Sequence, residues 1–384
     1  MKPILKIFAI CVAAIFFIIG CNKIEMNRSD SSNQLNKNEL KGKPNSEPSY
    51  LLAPIATQMQ VYGVWHAGND YCTWGTVRDM TEFDQKNNWI VNRGDGKPSV
   101  NLVVLSFVNP LKLLNKTTDG TTLNGIPKGM NAEVVNYFKG GDIRVMLSIG
   151  GITYTNDWNT ALATNATQLG LNAAEVAGNL GVGIEIDYEE NSNANLEGLQ
   201  DFIDAYRSIL PYDATGGNHA ARLTIDLAAG DRWLIDICRK ASTDWLKINE
   251  LFLDYANAMV PARQPAASAA IASWDEHIDG KLQYAPPIPP LAPCKFTGAL
   301  YINGSKPIPE CVNFYSSIQY ANREFVTKIV SGIAGASPGM LGYMFWAAEC
   351  PSTRQLCATS CTGGVGEGAK YFIIPVPMPA LRQN

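Results

Sequence analysis

The chain predicts an α/β protein, a single catalytic domain folded as a (β/α)8 TIM barrel, and three observations predict it. Eight short, near-continuously apolar runs recur through residues 51–384, the pattern of parallel strands covered on both faces. Helix-like stretches separate several of these runs, and a span of about 330 residues suits one closed barrel. No Gly-x-Gly-x-x-Gly follows the first run, which argues against a doubly wound open sheet.

The strand candidates, in order, are Gln60–Trp65, Asn101–Phe107, Ile143–Ile149, Val182–Tyr188, Arg222–Ala228, Asp254–Val260, Phe296–Tyr301 and Gly342–Trp346. Asn131–Phe138, Thr167–Asn179, Leu196–Ser208, Trp233–Ala241 and Phe314–Ile333 read as helices. Leu199, Phe202, Ile203 and Tyr206 fall at helical spacing and face a core. Residues 280–295 hold five prolines (286, 287, 289, 290 and 293), which remove donors and stiffen an irregular loop.

Two segments precede the barrel. Lys2 and Lys6 precede an apolar run, Ile7 to Ile19, that ends at Gly20-Cys21, so residues 1–20 read as a secretory signal. The run is too short for a good membrane span. Ile18-Ile19-Gly20-Cys21 resembles the bacterial lipoprotein cleavage box, which implies lipidation of Cys21 and a palmitate-type anchor. Residues 21–50 are rich in Asn, Ser, Lys and Glu, the composition of a disordered tether. The expected location is the cell envelope, at the outer membrane or cell surface, as a lipid-anchored monomer.

Composition narrows the function. Net charge is -4 with no basic stripe, which excludes nucleic acid as a partner. Three His and no Cys-x-x-Cys predict no metal site, and no cofactor motif is present. Of nine Cys, Cys11 and Cys21 lie in the signal region and seven remain. Cys350, Cys357 and Cys361, and the pair Cys294 and Cys311, are local enough to bridge after export.

The most informative segment is Gly181-Val-Gly-Ile-Glu-Ile-Asp-Tyr-Glu-Glu190. Glu185, Asp187 and Glu189 stand two residues apart, so a strand places all three on one face. Such carboxylates shift one another's pKa and can hold a proton near neutral pH, as general acid catalysis requires. Glu189, last on the strand, falls at the C-terminal rim where barrel enzymes keep their chemistry, with Asp187 and Glu185 deeper. Glu190 points the other way and reads as a surface or helix-start acid.

This segment resembles the Asp-x-x-Asp-x-Asp-x-Glu motif of glycoside hydrolase family 18, which includes chitinases and endo-β-N-acetylglucosaminidases. The pattern falls on Val182, Glu185, Asp187 and Glu189. A second family motif, Ser-x-Gly-Gly, matches Ser148-Ile149-Gly150-Gly151 on the third strand. Ser106-Phe107, Leu223–Gly230 and Gly342–Trp346 also resemble family strands, so the likeness runs in order over residues 60–348. It implies retaining, substrate-assisted hydrolysis of β-1,4-linked N-acetylglucosamine glycans, either chitin-like or the chitobiose core of N-glycans. Glu189 is then the acid, and Asp187 the carboxylate that stays ionised and orients the acetamide. Trp346 is then the floor under the sugar, and Ser148, Gly150, Gly151 and Met259 support the substrate.

The chain also departs from the family. Val182 replaces the first Asp and Glu185 the second. On the sixth strand, where the family often carries Met-x-Tyr-Asp, this chain reads Met259-Val260-Pro261-Ala262. These departures motivate a second reading, a weak or inactive surface glycan-binding lipoprotein of the same fold. Aromatics stack on sugars, and Trp65, Tyr71, Trp74, Tyr154 and Trp158 fall near strand ends; two or three of them are expected to line the groove. His66 and Asn69 are further candidates for contact with sugar hydroxyls. Only about 40 residues separate the seventh and eighth strands, which implies an open, endo-type groove.

Overall fold

The computed structural model describes residues 61–67, 77–92, 100–228, 234–247, 250–259, 267–292, 295–301 and 341–346, with the single positions 75, 96, 98 and 348. All of them belong to one compact unit, Ser46–Asn384. The expected signal, Cys21 and tether lie outside the described residues, as do the candidate helix Phe314–Ile333 and six of the seven remaining Cys. Cys238 is buried as a free thiol.

The barrel closes as expected. Its strands are β1 (Val61–Ala67), β2 (Leu102–Val108), β3 (Arg144–Gly150), β4 (Gly183–Asp187), β5 (Leu223–Ala228), β6 (Ala256–Met259), β7 (Phe296–Tyr301) and β8 (Gly342–Trp346). Each pairs in parallel with its sequence neighbours, and β8 returns to β1. A two-residue hairpin, Thr122–Leu123 with Ile126–Pro127, decorates the connection after β2.

Side-chain alternation divides each strand between two environments. On β4, Ile184 and Ile186 are buried on the outer face, and Glu185 and Asp187 point into the barrel. The inward direction is fixed by Glu185, whose carboxyl reaches β1 and β6 across the lumen. Below this level large and small residues interlock: a Cβ on Gly63 would meet Met344 Sδ at 2.4 Å, and one on Gly183 would meet Arg222 Cβ at 2.9 Å and Met146 Cγ at 3.0 Å. Arg222 and Arg207 lie below β5, both paired with Asp254, at 3.6 and 3.1 Å.

The helices differ from expectation in several places, among them Pro110–Leu114, a short helix that the sequence did not mark, and Trp233–Ala241, where the helix runs Ile235–Lys240 and continues as a π turn to Trp245. Met80–Val91 and Ala267–Asp279 are helices that the periodicity of the sequence did not mark. In the first, Phe83, Asn87 and Ile90 form the buried face, and the amide at Asn87 interrupts its apolar stripe. The helix expected over Thr167–Asn179 begins earlier, at Thr155, and runs to Leu180 with a break at Asn165. The Asn165 side chain caps Gln168 N at 2.9 Å, so the expected span is the second half of a kinked pair. Leu196–Ile209 forms as expected and buries Leu199, Phe202, Ile203 and Tyr206. The proline-rich segment after Asp279 is irregular, with one bridge, Lys281 to Ile288.

Candidate active site

Four carboxyl groups meet at the C-terminal half of the barrel lumen. Glu185 and Asp187 come from β4, Glu189 follows directly on it, and Asp226 comes from β5. Glu185, Asp187 and Asp226 are all at most 3% exposed, whereas Glu189 is half-buried. The depth order expected along β4 is therefore the order found, with Glu189 nearest the opening.

Glu185 is the best-supported of these groups. Trp65 Nε1 donates to its Oε1 at 2.8 Å, and Asn257 Nδ2 donates to its Oε2 at 2.7 Å. Thr297 Oγ1 in turn donates to Asn257 Oδ1 at 2.6 Å. A hydrogen-bonded belt thus runs from β7 through β6 and β4 to β1. Burial pushes the Glu185 proton affinity up, and the hydrogen bonds from Trp65 and Asn257 oppose it. Ser148 sits on β3 in register with Glu185.

Asp187 is held differently. Burial first, and then the charges of Glu189 and Glu185, keep its carboxyl well above the usual carboxylate range. Its Oδ1 has no hydrogen-bond partner among the described residues. That direction runs opposite to the expectation that Asp187 stays ionised. Glu185, with its N–H donors, is the better-stabilised anion, because Glu at 185 extends one methylene further across the lumen to Trp65 and Asn257.

Backbone shape brings β3 and β4 together. Gly150 (φ +123°) is in register with Asp187, and a Cβ there would lie 1.9 Å from the Asp187 carbonyl oxygen. Gly151 (φ +87°) donates its N–H to that oxygen at 2.9 Å, and a Cβ on it would press 3.1 Å from the Phe107 ring. Both positions require glycine. The pair does two things: it lets β3 lie against β4, and it seats Phe107.

Phe107 and Trp346 form an aromatic pair, both half-buried, with ring centroids 5.5 Å apart and planes 27° from parallel. Trp346 also meets Trp65 at 6.2 Å. The rings therefore lie beside the carboxyl cluster, joined to it through Trp65 on one side and Gly151 on the other. Trp65 itself is 3% exposed, so it supports Glu185 from below. Met259, at the end of β6, is half-buried against the apolar core.

Two expected contact residues face elsewhere. Trp158 is fully buried, donates to Ile149 O at 3.1 Å and packs on Tyr188 and Phe202. His66 faces the outer layer, where its Nε2 meets Asn87 Oδ1 at 2.7 Å and its ring stacks on Phe83. Alternation along β1 explains this, since Trp65 points inward. Tyr154 is half-buried; Asn69, Tyr71, Trp74, Pro261 and Ala262 lie outside the described residues.

The segment carrying Glu189 is tied on both sides. Tyr188 Oη contacts Asn159 Oδ1 and accepts from Asn195 N at 3.1 Å. Glu190 accepts from Asn159 Nδ2 at 2.8 Å and from Ser192 N at 2.8 Å, which lowers its proton affinity. Glu190, expected as a surface or helix-start acid, is half-buried and caps the loop instead, the following helix being capped by Asn195.

Sequence reasoning missed Asp226 and Asn257. Both were visible by the same alternation that found Glu185. In Leu223-Thr-Ile-Asp-Leu-Ala228, Thr224 and Asp226 share one face of an otherwise apolar strand, and Asn257 interrupts Ala256-Asn-Ala-Met259.

Several solved structures resemble this fold. A GH18 chitinase from Pseudoalteromonas aurantia is 14% identical, with a TM-score of 0.46, covering 75% of this chain and 93% of that one. A class V chitinase from Nicotiana tobaccum is 13% identical (TM-score 0.41, covering 82% and 99%). A GH18 chitinase from Cycas revoluta, solved in complex with (GlcNAc)3, is 11% identical (TM-score 0.42, covering 76% and 97%). No family model and no curated protein matches the sequence.

Proposed function

We propose that the chain is a retaining glycoside hydrolase that cleaves β-linked N-acetylglucosamine glycans with help from the substrate's own acetamide. One observation carries this reading: a half-buried acid, Glu189, lies two residues beyond a strand whose last carboxyl, Asp187, is pushed toward its protonated form, beside a half-buried aromatic pair. A two-carboxylate mechanism, in which one of the pair attacks the sugar directly, fits less well, because Asp187 is too deep and too enclosed to reach a sugar carbon.

In this reading a sugar lies across Trp346 and Phe107. Glu189 gives its proton to the glycosidic oxygen as the C1–O bond breaks. The acetamide oxygen bonds C1, giving an oxazolinium ion, and Asp187 holds the acetamide N–H. Water then adds its hydroxyl to C1, the ring opens, and the water's second proton returns to Glu189. The configuration at C1 is retained. An endo mode on chitin-like chains or on the N-glycan chitobiose core follows from the same resemblance.

The test is product formation from chitooligosaccharides and from a high-mannose glycopeptide. Wild type is expected to release product from at least one, and Glu189→Gln to lose about 10²–10⁴ in kcat. Absence of wild-type product on both, with glycan binding retained, selects the surface glycan-binding reading. We further propose that Cys21 carries the lipid that anchors the chain in the cell envelope; palmitate labelling that persists in Cys21→Ala would overturn that.

A further inference from the structure

The proposed chemistry leaves one buried carboxyl without a task. Asp226 is 2% exposed and lies on β5 opposite Asn257, the residue that donates to Glu185. Its carboxyl shares the closed lumen with that of Glu185, whose charge acts on it, and its Oδ1 has no hydrogen-bond partner among the described residues.

Two carboxyl groups can share a hydrogen bond only if one carries the proton. The surroundings decide which. Each oxygen of Glu185 already accepts an N–H, from Trp65 on one side and Asn257 on the other, and those donors favour its anion. An ionised Asp226 would leave a bare oxygen in a closed lumen, whereas a neutral acid costs far less there. The charges that act on Asp226 are those of Glu185, Asp187 and Glu189, all of one sign; Ser148, Trp65, Asn257 and Thr297, from β3, β1, β6 and β7, contribute no charge.

We infer that Asp226 is a positioning residue, a permanently neutral carboxylic acid that donates its O–H to Glu185 and fixes that side chain as the negative charge beneath Asp187. The inference deepens the proposed function and rests on it for its kinetic consequence. This chain has Val182 where the resembling family places an acid. The additional carboxyl is supplied from the neighbouring strand instead. Glu185 then stays ionised without a cation, and its charge keeps a proton on the Asp187 and Glu189 pair at neutral pH.

Two variants separate this from simple space filling. Asp226→Asn keeps a neutral donor of the same size, and Asp226→Ala removes it. Infrared spectra at pH 7 need no substrate. The wild type is expected to show a protonated-carboxyl band that Asp226→Asn lacks. Asp226→Ala, with a donor to Glu185 gone, is expected to show a new such band from Glu185. In turnover, Asp226→Ala is expected to lose about 10- to 100-fold in kcat. Its basic limb should move to lower pH by about one unit, because the neutralised Glu185 no longer holds the proton on its neighbours. Asp226→Asn should recover most of the rate and the wild-type limb.

An infrared band unchanged in Asp226→Asn would overturn the inference, since Asp226 would then carry no proton. Identical pH profiles for both variants would overturn it too. If the wild type hydrolyses no glycan, the infrared result still decides Asp226, and only the proposed activity falls.

Discussion

Trp65 reaches Glu185 with one N–H, so Trp65→Phe keeps an aromatic ring in the lumen and deletes the donor. A hydrogen bond to a charged group contributes about 1.5–3 kcal/mol, so kcat is expected to fall about 10- to 100-fold with little change in KM. A rise in KM alone would show that Trp65 binds substrate directly. Asp187 makes a second prediction, on stability. Its folded-state proton affinity is raised, so above the ordinary carboxylate range the folded chain holds a proton that the unfolded chain has released. Its contribution is most favourable below that range and falls as pH rises through the folded value. Asp187→Asn is therefore expected to melt higher than wild type at pH 7 and alike at pH 3, by scanning calorimetry. Equal midpoints at both values would show that Asp187 is not under strain. At this scale the β4 acids were legible because alternation alone places them, whereas the protonation order was not. That order depends on Trp65 and Asn257, which stand 120 and 72 residues away from Glu185.

Strands were easier to read than helices, and the reason lies in how each is buried. Among the described side chains the barrel strands are mostly apolar on the outer face, His66 of β1 apart, and carry most of their polar residues inward, so each run stands out. Among its described side chains the Met80–Val91 helix shows three buried positions, one of them Asn87, whose amide binds Phe83 O and His66. Its stripe is polar in sequence and satisfied only in three dimensions. The Thr155–Leu180 helix has a role beyond covering β3 and β4. From it, Asn159 contacts Tyr188 and Glu190, the residues on either side of Glu189. Asn159→Ala is expected to leave the fold intact by circular dichroism and to lower kcat about tenfold, through looser placement of Glu189. Wild-type turnover in that variant would mean the β4 strand alone positions the acid.

The closed barrel depends on its last seam. Val61 N donates to Leu341 O at 2.9 Å, and Gly342 (φ +142°) packs so closely that a Cβ would lie 1.7 Å from Val61 O. Gly342→Ala is expected to cost about 3 kcal/mol or more, read as a lower midpoint in urea, because β8 cannot approach β1 with a side chain there. A midpoint within error of wild type would mean the seam can shift to accommodate it. Closure itself was legible from strand count and length, and this seam was not, since nothing local marks residue 342 as the meeting point of the first and last strands.

The hydrogen-bonded belt across the lumen has a consequence for how such a protein can change over generations. A barrel centre filled with Val, Ile and Leu would be drier and would carry no carboxyl repulsion. A library selected for heat resistance alone should therefore accumulate apolar replacements at 185, 187, 226 and 257, and those survivors should be the ones that have lost turnover. Selection for turnover should hold the same four positions polar. The two selections, run side by side, would draw the boundary between the part of this lumen that maintains shape and the part kept in spite of its cost.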